Sequence, residues 1–240
     1  MKNVRNFILG MDLLLLCILA GKAAENGMLR MAEEMGRNEG TWTIMKESDV
    51  NTKDLTKKKV ALTFDDGPNQ NYTEMLLEGL KERGVHATFF LLGKQVEQSP
   101  QIVKKMHRDG HLIGNHSYEH VNLSSLSDEA AMKQVDMTNE AIYKVTGEYP
   151  EYIRPPFGCW KSNLDYETTM IEVLWNIDPL DWKTNSTAAV VERVLKKVEE
   201  DDIILLHDAS ESSVNAAFEI IDKLKKEGYE FVTVDEILFD

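Results

Sequence analysis

From Lys59 to its end the chain alternates short apolar runs with stretches of helical period. This pattern leaves few folds open, because strands that alternate with helices build parallel sheets covered by helices. Runs at 60–64, 87–92, 111–115, 152–154, 173–177, 203–206 and 231–234 read as strands. The segments 73–83, 100–109, 127–147, 187–199 and 213–227 read as helices, three of them closed by Gly84, Gly110 and Gly147 and a fourth by Gly228. An open doubly wound sheet and a closed barrel both satisfy this order, and the number of strands favours an α/β barrel. In either fold ligands bind at the carboxyl ends of the strands, so the residues just after each strand carry the functional signal.

The first strand ends in Thr63-Phe64-Asp65-Asp66-Gly67-Pro68. Two carboxylates at a strand mouth suit a pairing in which one binds metal and the other takes a proton, although an Asp-Asp-Gly turn also occurs for backbone reasons alone. After the third strand comes His116-Ser117-Tyr118-Glu119-His120, two imidazoles four residues apart, expected on one face of a helical turn. With a neighbouring carboxylate they make a two-His, one-Asp set with open coordination positions, as a catalytic zinc site needs. Arg154-Pro155-Pro156-Phe157-Gly158 is a rigid turn able to aim a main-chain N–H while the guanidinium pairs with a carboxylate. Asp178-Pro179-Leu180-Asp181-Trp182 and Leu205-Leu206-His207 close the next two strands. His86, His107 and His111 show no partners and are given no role.

Taken in order, residues 63–68, 116–120, 154–158, 178–182 and 205–207 resemble the five motifs of the NodB-homology polysaccharide deacetylases, carbohydrate esterase family 4. The resemblance runs from about Lys59 to Asp240. It implies a distorted (β/α) barrel of parallel strands with covering helices. It also implies a hydrolase that removes N- or O-acetyl groups from polysaccharide with a divalent metal, zinc foremost and cobalt or another divalent ion as substitutes. Carried over residue by residue, Asp66, His116 and His120 would hold the metal, and Asp65 would be the general base, paired with Arg154. His207 would be the general acid aligned by Asp181. The Phe157 N–H would hold the oxyanion, and Trp182 and Leu205 would wall the pocket for the acetyl methyl. Many relatives have Tyr where this chain has Phe157; the main-chain donor survives that change. Cys159 has no assigned chemistry.

The 240 residues include 41 acidic against 27 basic side chains, a formal net charge of −14. That balance disfavours nucleic acid and anionic membrane surfaces as partners and suits a neutral or cationic substrate. Residues 1–24 begin with Lys2 and Arg5 and continue into an apolar run that Asp12 interrupts, and Ala20, Gly21, Ala23 and Ala24 offer cleavage points. This reads as a signal peptide or N-terminal membrane anchor, with a buried helix as the alternative. Leu16 before Cys17 is too large for a lipoprotein site. Residues 25–58 read as a polar stalk and 59–240 as the deacetylase domain, outside the cytoplasm and monomeric. The expected substrate is an N-acetylglucosamine polymer, peptidoglycan first, with chitin oligomers, poly-N-acetylglucosamine or acetylated xylan as alternatives. A non-catalytic carbohydrate-binding protein is the alternative of a different class.

Overall fold

The structure, a computed structural model, describes residues 58–166 and 168–239. The expected leader and nearly all of the stalk lie outside the described residues. Seven strands are found there: β1 (Lys58–Asp65), β2 (Thr88–Leu91), β3 (Leu112–Asn115), β4 (Tyr152–Ile153), β5 (Ile171–Glu172), β6 (Asp202–His207) and β7 (Tyr229–Val232). They form one parallel sheet in the order β5-β4-β3-β2-β1-β6, with β7 paired to the first half of β1. Ile177, a few residues after β5, bridges Ile204 of β6. The Asn176 and Ile177 amides donate to the Ile203 carbonyl and the Leu205 amide donates to that of Ile177. This contact joins the β5 end of the sheet to β6 and makes the sheet the distorted barrel expected from the sequence.

The period of two along each strand sorts the core into two clusters. Val60, Leu62 and Phe64 of β1 and Ile204 and Leu206 of β6 pack outward with Leu76, Leu77 and Leu80 of α1 (Thr73–Glu82). The same cluster takes in Ile220, Ile221 and Leu224 of α6 (Glu211–Lys226), each of these buried side chains contributing about 2 kcal/mol. Ala61, Phe90, Tyr152 and Ile203 point the other way, into the barrel. Continuing that inward series toward the strand ends gives Thr63, Asp65, Arg154, Leu205 and His207. The sheet therefore delivers chemistry to its mouth by alternation alone. The remaining helices are α2 (Gly93–Gln98), α3 (Pro100–Arg108), α4 (Asp128–Thr146), α5 (Thr187–Leu195) and α7 (Val234–Phe239). Ser127 caps α4, its side chain accepting the Ala130 N–H, and Gly147 ends it at φ 82°.

The structure corrects four local expectations. The strand expected at 173–177 is displaced to Ile171–Glu172, because the Val173 and Leu174 carbonyls accept from the Arg154 guanidinium and so leave the ladder. The strand expected at 231–234 ends at Val232. There Thr233 donates through its N–H to the Glu236 carboxylate and through its hydroxyl to that of Asp235 and starts α7, which sequence periodicity did not indicate. The segment from His116 to His120 is not a helical turn: Ser117 and His120 have left-handed backbones, at φ 67° and 58°. His111 does have a partner, its buried Nδ1 accepting the Ala87 N–H at 3.2 Å.

Candidate active site

A cavity of about 610 Å³ opens at the carboxyl ends of the strands, and Asp65, Asp66, His116, His120, Phe157, Trp182, Leu205 and His207 all line it. Asp181 lines it as well, and buried Arg154 lies behind this lining bonded to Asp65, so all ten residues expected from the sequence converge on one mouth.

On one side are three metal-ligating side chains. The donor atoms of Asp66, His116 and His120 lie within 4.8 Å of one another. Asp66 Oδ1 is 3.4 Å from His116 Nε2 and 3.3 Å from His120 Nε2, and it is a buried oxygen with no hydrogen-bond partner. A buried carboxylate oxygen left bare between two imidazole nitrogens costs free energy unless a cation completes it. His116 Nδ1 donates to the Arg154 carbonyl at 2.6 Å, which fixes the proton there and turns the Nε2 lone pair toward Asp66. Burial raises the Asp66 carboxyl, but the imidazoles of His116, His120 and His207 outweigh it and hold the group below its ordinary value. Burial also lowers His120, favouring the neutral ring that a metal requires. The residues fit a divalent metal in both geometry and protonation.

Backbone strain shapes this cluster. Asp66 itself sits at φ 71°. The His116–His120 loop is held by side chains rather than by helical bonds. Asn115 Oδ1 accepts the Ser117 N–H, Ser117 Oγ accepts the His120 N–H, and Gln134 of α4 accepts the N–H groups of Tyr118 and Glu119.

Asp65 is buried beside the cluster, its Oδ2 3.7 Å from His116 Nε2. Its other oxygen accepts from Arg154 at 2.8 Å. Arg154 is 0% exposed and spends its donors on Thr63 Oγ1, Asp65 Oδ1 and the carbonyls of Val173 and Leu174, with its plane 4.2 Å from the Phe90 ring. Burial lowers the guanidinium below its ordinary value, and the adjacent Asp65 works against that. Thr63 is a site residue that sequence motifs missed. It accepts from Arg154 and donates to the Ile204 carbonyl at 2.8 Å, and its place two residues before Asp65 on the inward face was the available signal.

His207 pairs in register with Asp65 on the neighbouring strand β6. Its Nδ1–H donates to Asp181 Oδ1 at 2.9 Å, and its Nε2 faces the cavity 4.0 Å from Asp66 Oδ2. Asp181 also accepts the main-chain N–H groups of His207 and Trp182. Burial alone would lower His207, but the bond and charge of Asp181, joined by Asp65 and Asp66, push it up to about 9. The imidazole is thus charged at neutral pH.

Phe157 stands at φ 62° in a 3₁₀ turn after the two prolines, with its ring 4.7 Å from that of His120. Its amide is at the start of that turn, where N–H groups have no partner within the turn. Leu205 is buried in the cavity, whereas Trp182 is 59% exposed on the rim with the Lys183 ammonium 4.3 Å over its ring. Trp175, Asp178, Asn185, Ala209, Ser210 and Ser213 complete the lining. Cys159 is a half-buried free thiol whose Sγ contacts the Phe157 carbonyl at 3.6 Å.

A parallel barrel that gathers Asp, His and His around one point, flanked by an aspartate–arginine pair and an aspartate–histidine pair, is an α/β protein with a candidate metal site and acid–base groups in reach. Residues 52–173, just over half of the chain, match the family model described as polysaccharide deacetylase, and the chain belongs to that family. The family's members use a divalent metal. The chain is 41% identical over 186 residues to peptidoglycan-N-acetylmuramic acid deacetylase PdaC of Bacillus subtilis, covering 78% of this chain and 40% of that protein. It is 37% identical over 206 residues to a peptidoglycan-N-acetylglucosamine deacetylase of Bacillus cereus, covering 81% of this chain and 75% of that one. The solved structure of peptidoglycan deacetylase PdaC from Bacillus subtilis superposes with a TM-score of 0.75 at 40% identity, over 77% of this chain and 92% of that one. The chain spans about two fifths of the length of the first curated relatives it matches.

Proposed function

We propose that this protein removes N-acetyl groups from peptidoglycan, acting on its N-acetylglucosamine units and releasing acetate and a free amine. The observation that carries the proposal is the arrangement of the cavity, in which the buried Asp65 carboxylate and the charged His207 imidazole, on neighbouring strands, both border the Asp66, His116 and His120 cluster. The names of the relatives support the choice of peptidoglycan.

Asp66, His116 and His120 would hold a divalent ion. Asp66 Oδ1 lies 3.4 Å from His116 Nε2 and 3.3 Å from His120 Nε2, close enough for one small divalent cation to be shared by all three, and the nitrogen-rich donor set suits zinc. Bound there, such an ion would supply Lewis acidity toward a water and the acetyl carbonyl. Asp65, oriented by Arg154, takes the proton of the water that adds to the carbonyl carbon. The Phe157 N–H donates to the carbonyl oxygen as negative charge grows on it. His207 then gives its Nε2 proton to the leaving nitrogen as the carbon–nitrogen bond breaks. Asp181 keeps the imidazole aligned and stabilises its charged form. Leu205 and the rim residue Trp182 border the space for the acetyl methyl.

A second reading is favoured by the 41% identity to a relative named for N-acetylmuramic acid. Treating purified peptidoglycan with the protein, digesting it and weighing the disaccharides by mass spectrometry separates the two. Loss of about 42 Da, one acetyl group exchanged for hydrogen, from the glucosamine unit supports the proposal. The same loss confined to muramic acid overturns its sugar assignment. Acetate from chitin oligomers or acetylated xylan but not from peptidoglycan overturns the polymer, and glycan binding without acetate release under any divalent metal supports a non-catalytic protein. With peptidoglycan as substrate the chain works outside the cytoplasm, as a monomer secreted or anchored by residues 1–24. Cell fractionation and light scattering test this.

A further inference from the structure

We propose that Asp208 is a positioning residue that anchors the turn after β1 and thereby fixes the aim of Asp66. The inference rests on Asp66 being a metal ligand. The backbone of Asp66 is left-handed, a conformation that costs a non-glycine residue about 1–2 kcal/mol and persists only where surrounding structure imposes it. The imposing contacts come from both neighbouring strands. The Leu92 N–H, just past β2, donates to the Gly67 carbonyl at 3.1 Å.

From the other side comes Asp208, the residue after β6. Its carboxyl is buried, and Oδ2 accepts from the Thr73 hydroxyl. That hydroxyl in turn accepts the Asn69 N–H at 2.6 Å, so the proton it donates can only go outward to Asp208. Gly67 lies flat against the same carboxylate: a Cβ at that position would stand 2.7 Å from Asp208 Oδ2 and 3.0 Å from Oδ1. Glycine is required here for close approach, not for a positive φ. Burial pushes the Asp208 carboxyl up to about 6, partly opposed by its bonds to Thr73 and Asn69. Asp208 is not among the cavity-lining residues, whereas Ala209 and Ser210 after it are, so it touches no substrate and its bonded contacts reach the site through the turn. Because it follows His207 directly, it also ties the strand of the acid to the turn of the metal ligand.

The test is zinc affinity, measured on purified full-length protein by competition with a chromophoric chelator well below the melting transition. Asp208→Ala and Thr73→Val should each weaken zinc binding about 10-fold or more, as loss of the support behind a ligand does. The double variant should be little weaker than either single, because both remove one interaction. Asp208→Asn retains an acceptor for Thr73 and should lie closer to the parent than Asp208→Ala. Zinc affinity within about 2-fold of the parent in folded Thr73→Val and Asp208→Ala, with only a lowered melting temperature, assigns the network a purely structural role and overturns the proposal. If Asp208→Ala does not fold, Thr73→Val decides alone. Asp66→Ala is the control: if it too leaves zinc affinity unchanged, the ligand assignment has failed rather than the anchor.

Discussion

Replacing Arg154 by Met tests the architecture of the site more severely than removing any group that faces the cavity. Methionine keeps much of the volume but none of the donors. Asp65 is then left as a buried carboxylate without its partner at 2.8 Å, and Thr63 Oγ1 and the carbonyls of Val173 and Leu174 lose theirs. Breaking a buried pair from one side costs about 3–5 kcal/mol, because an uncompensated charge remains. For a domain of this size 1 kcal/mol corresponds to about 2–4 °C, so the melting temperature should fall by roughly 6–20 °C. Circular dichroism melts in chelator are the assay, so that no cation stands in for the guanidinium. The double variant Arg154→Met/Asp65→Leu removes the orphaned charge and should be more stable than Arg154→Met alone. A single variant within about 2 °C of the parent, or a double variant less stable than the single, refutes the view that this pair is a buried strut of the barrel.

Three further outcomes follow from the same geometry. Asp65→Asn should keep its metal and lose about 10²–10⁴ in turnover, while Asp66→Asn should lose metal, read by metal analysis beside acetate release; the opposite pattern means the two roles are exchanged. Asp181→Asn removes the strongest support for charged His207, so the alkaline limb of the pH–rate profile, set in the parent by a group pushed up to about 9, should move to lower pH; an unmoved limb counts against His207 as the acid. His111 is lowered by burial to about 4, so between about 4 and its ordinary 6.5 the folded state binds fewer protons than the unfolded one. Its contribution is complete above 6.5 and is lost as pH falls through that window, and His111→Asn should flatten this part of the stability profile measured by denaturant titration.

The barrel was legible because alternation along β1 and β6 is encoded locally. Once Val60, Leu62 and Phe64 are assigned to the outer core, Thr63 and Asp65 must face inward. The five motifs likewise lie at strand ends, where a parallel sheet collects ligands. Other features depended on contacts distant in sequence. Nothing near His116 announces that Gln134 will hold its loop, so the pair was expected on a helical turn that does not form. The strand expected at 173–177 gave way because Arg154, about 20 residues earlier, claims two of its carbonyls. Asp208 carried no local signal either, since its partners Gly67, Asn69 and Thr73 lie on another strand's turn.

Acetate released from purified peptidoglycan, before and after removal of bound metal, tests the central claim most directly. The account predicts release by the protein as purified, loss of release on exhaustive chelation and recovery on addition of zinc or cobalt. Release that survives complete removal of metal would contradict it.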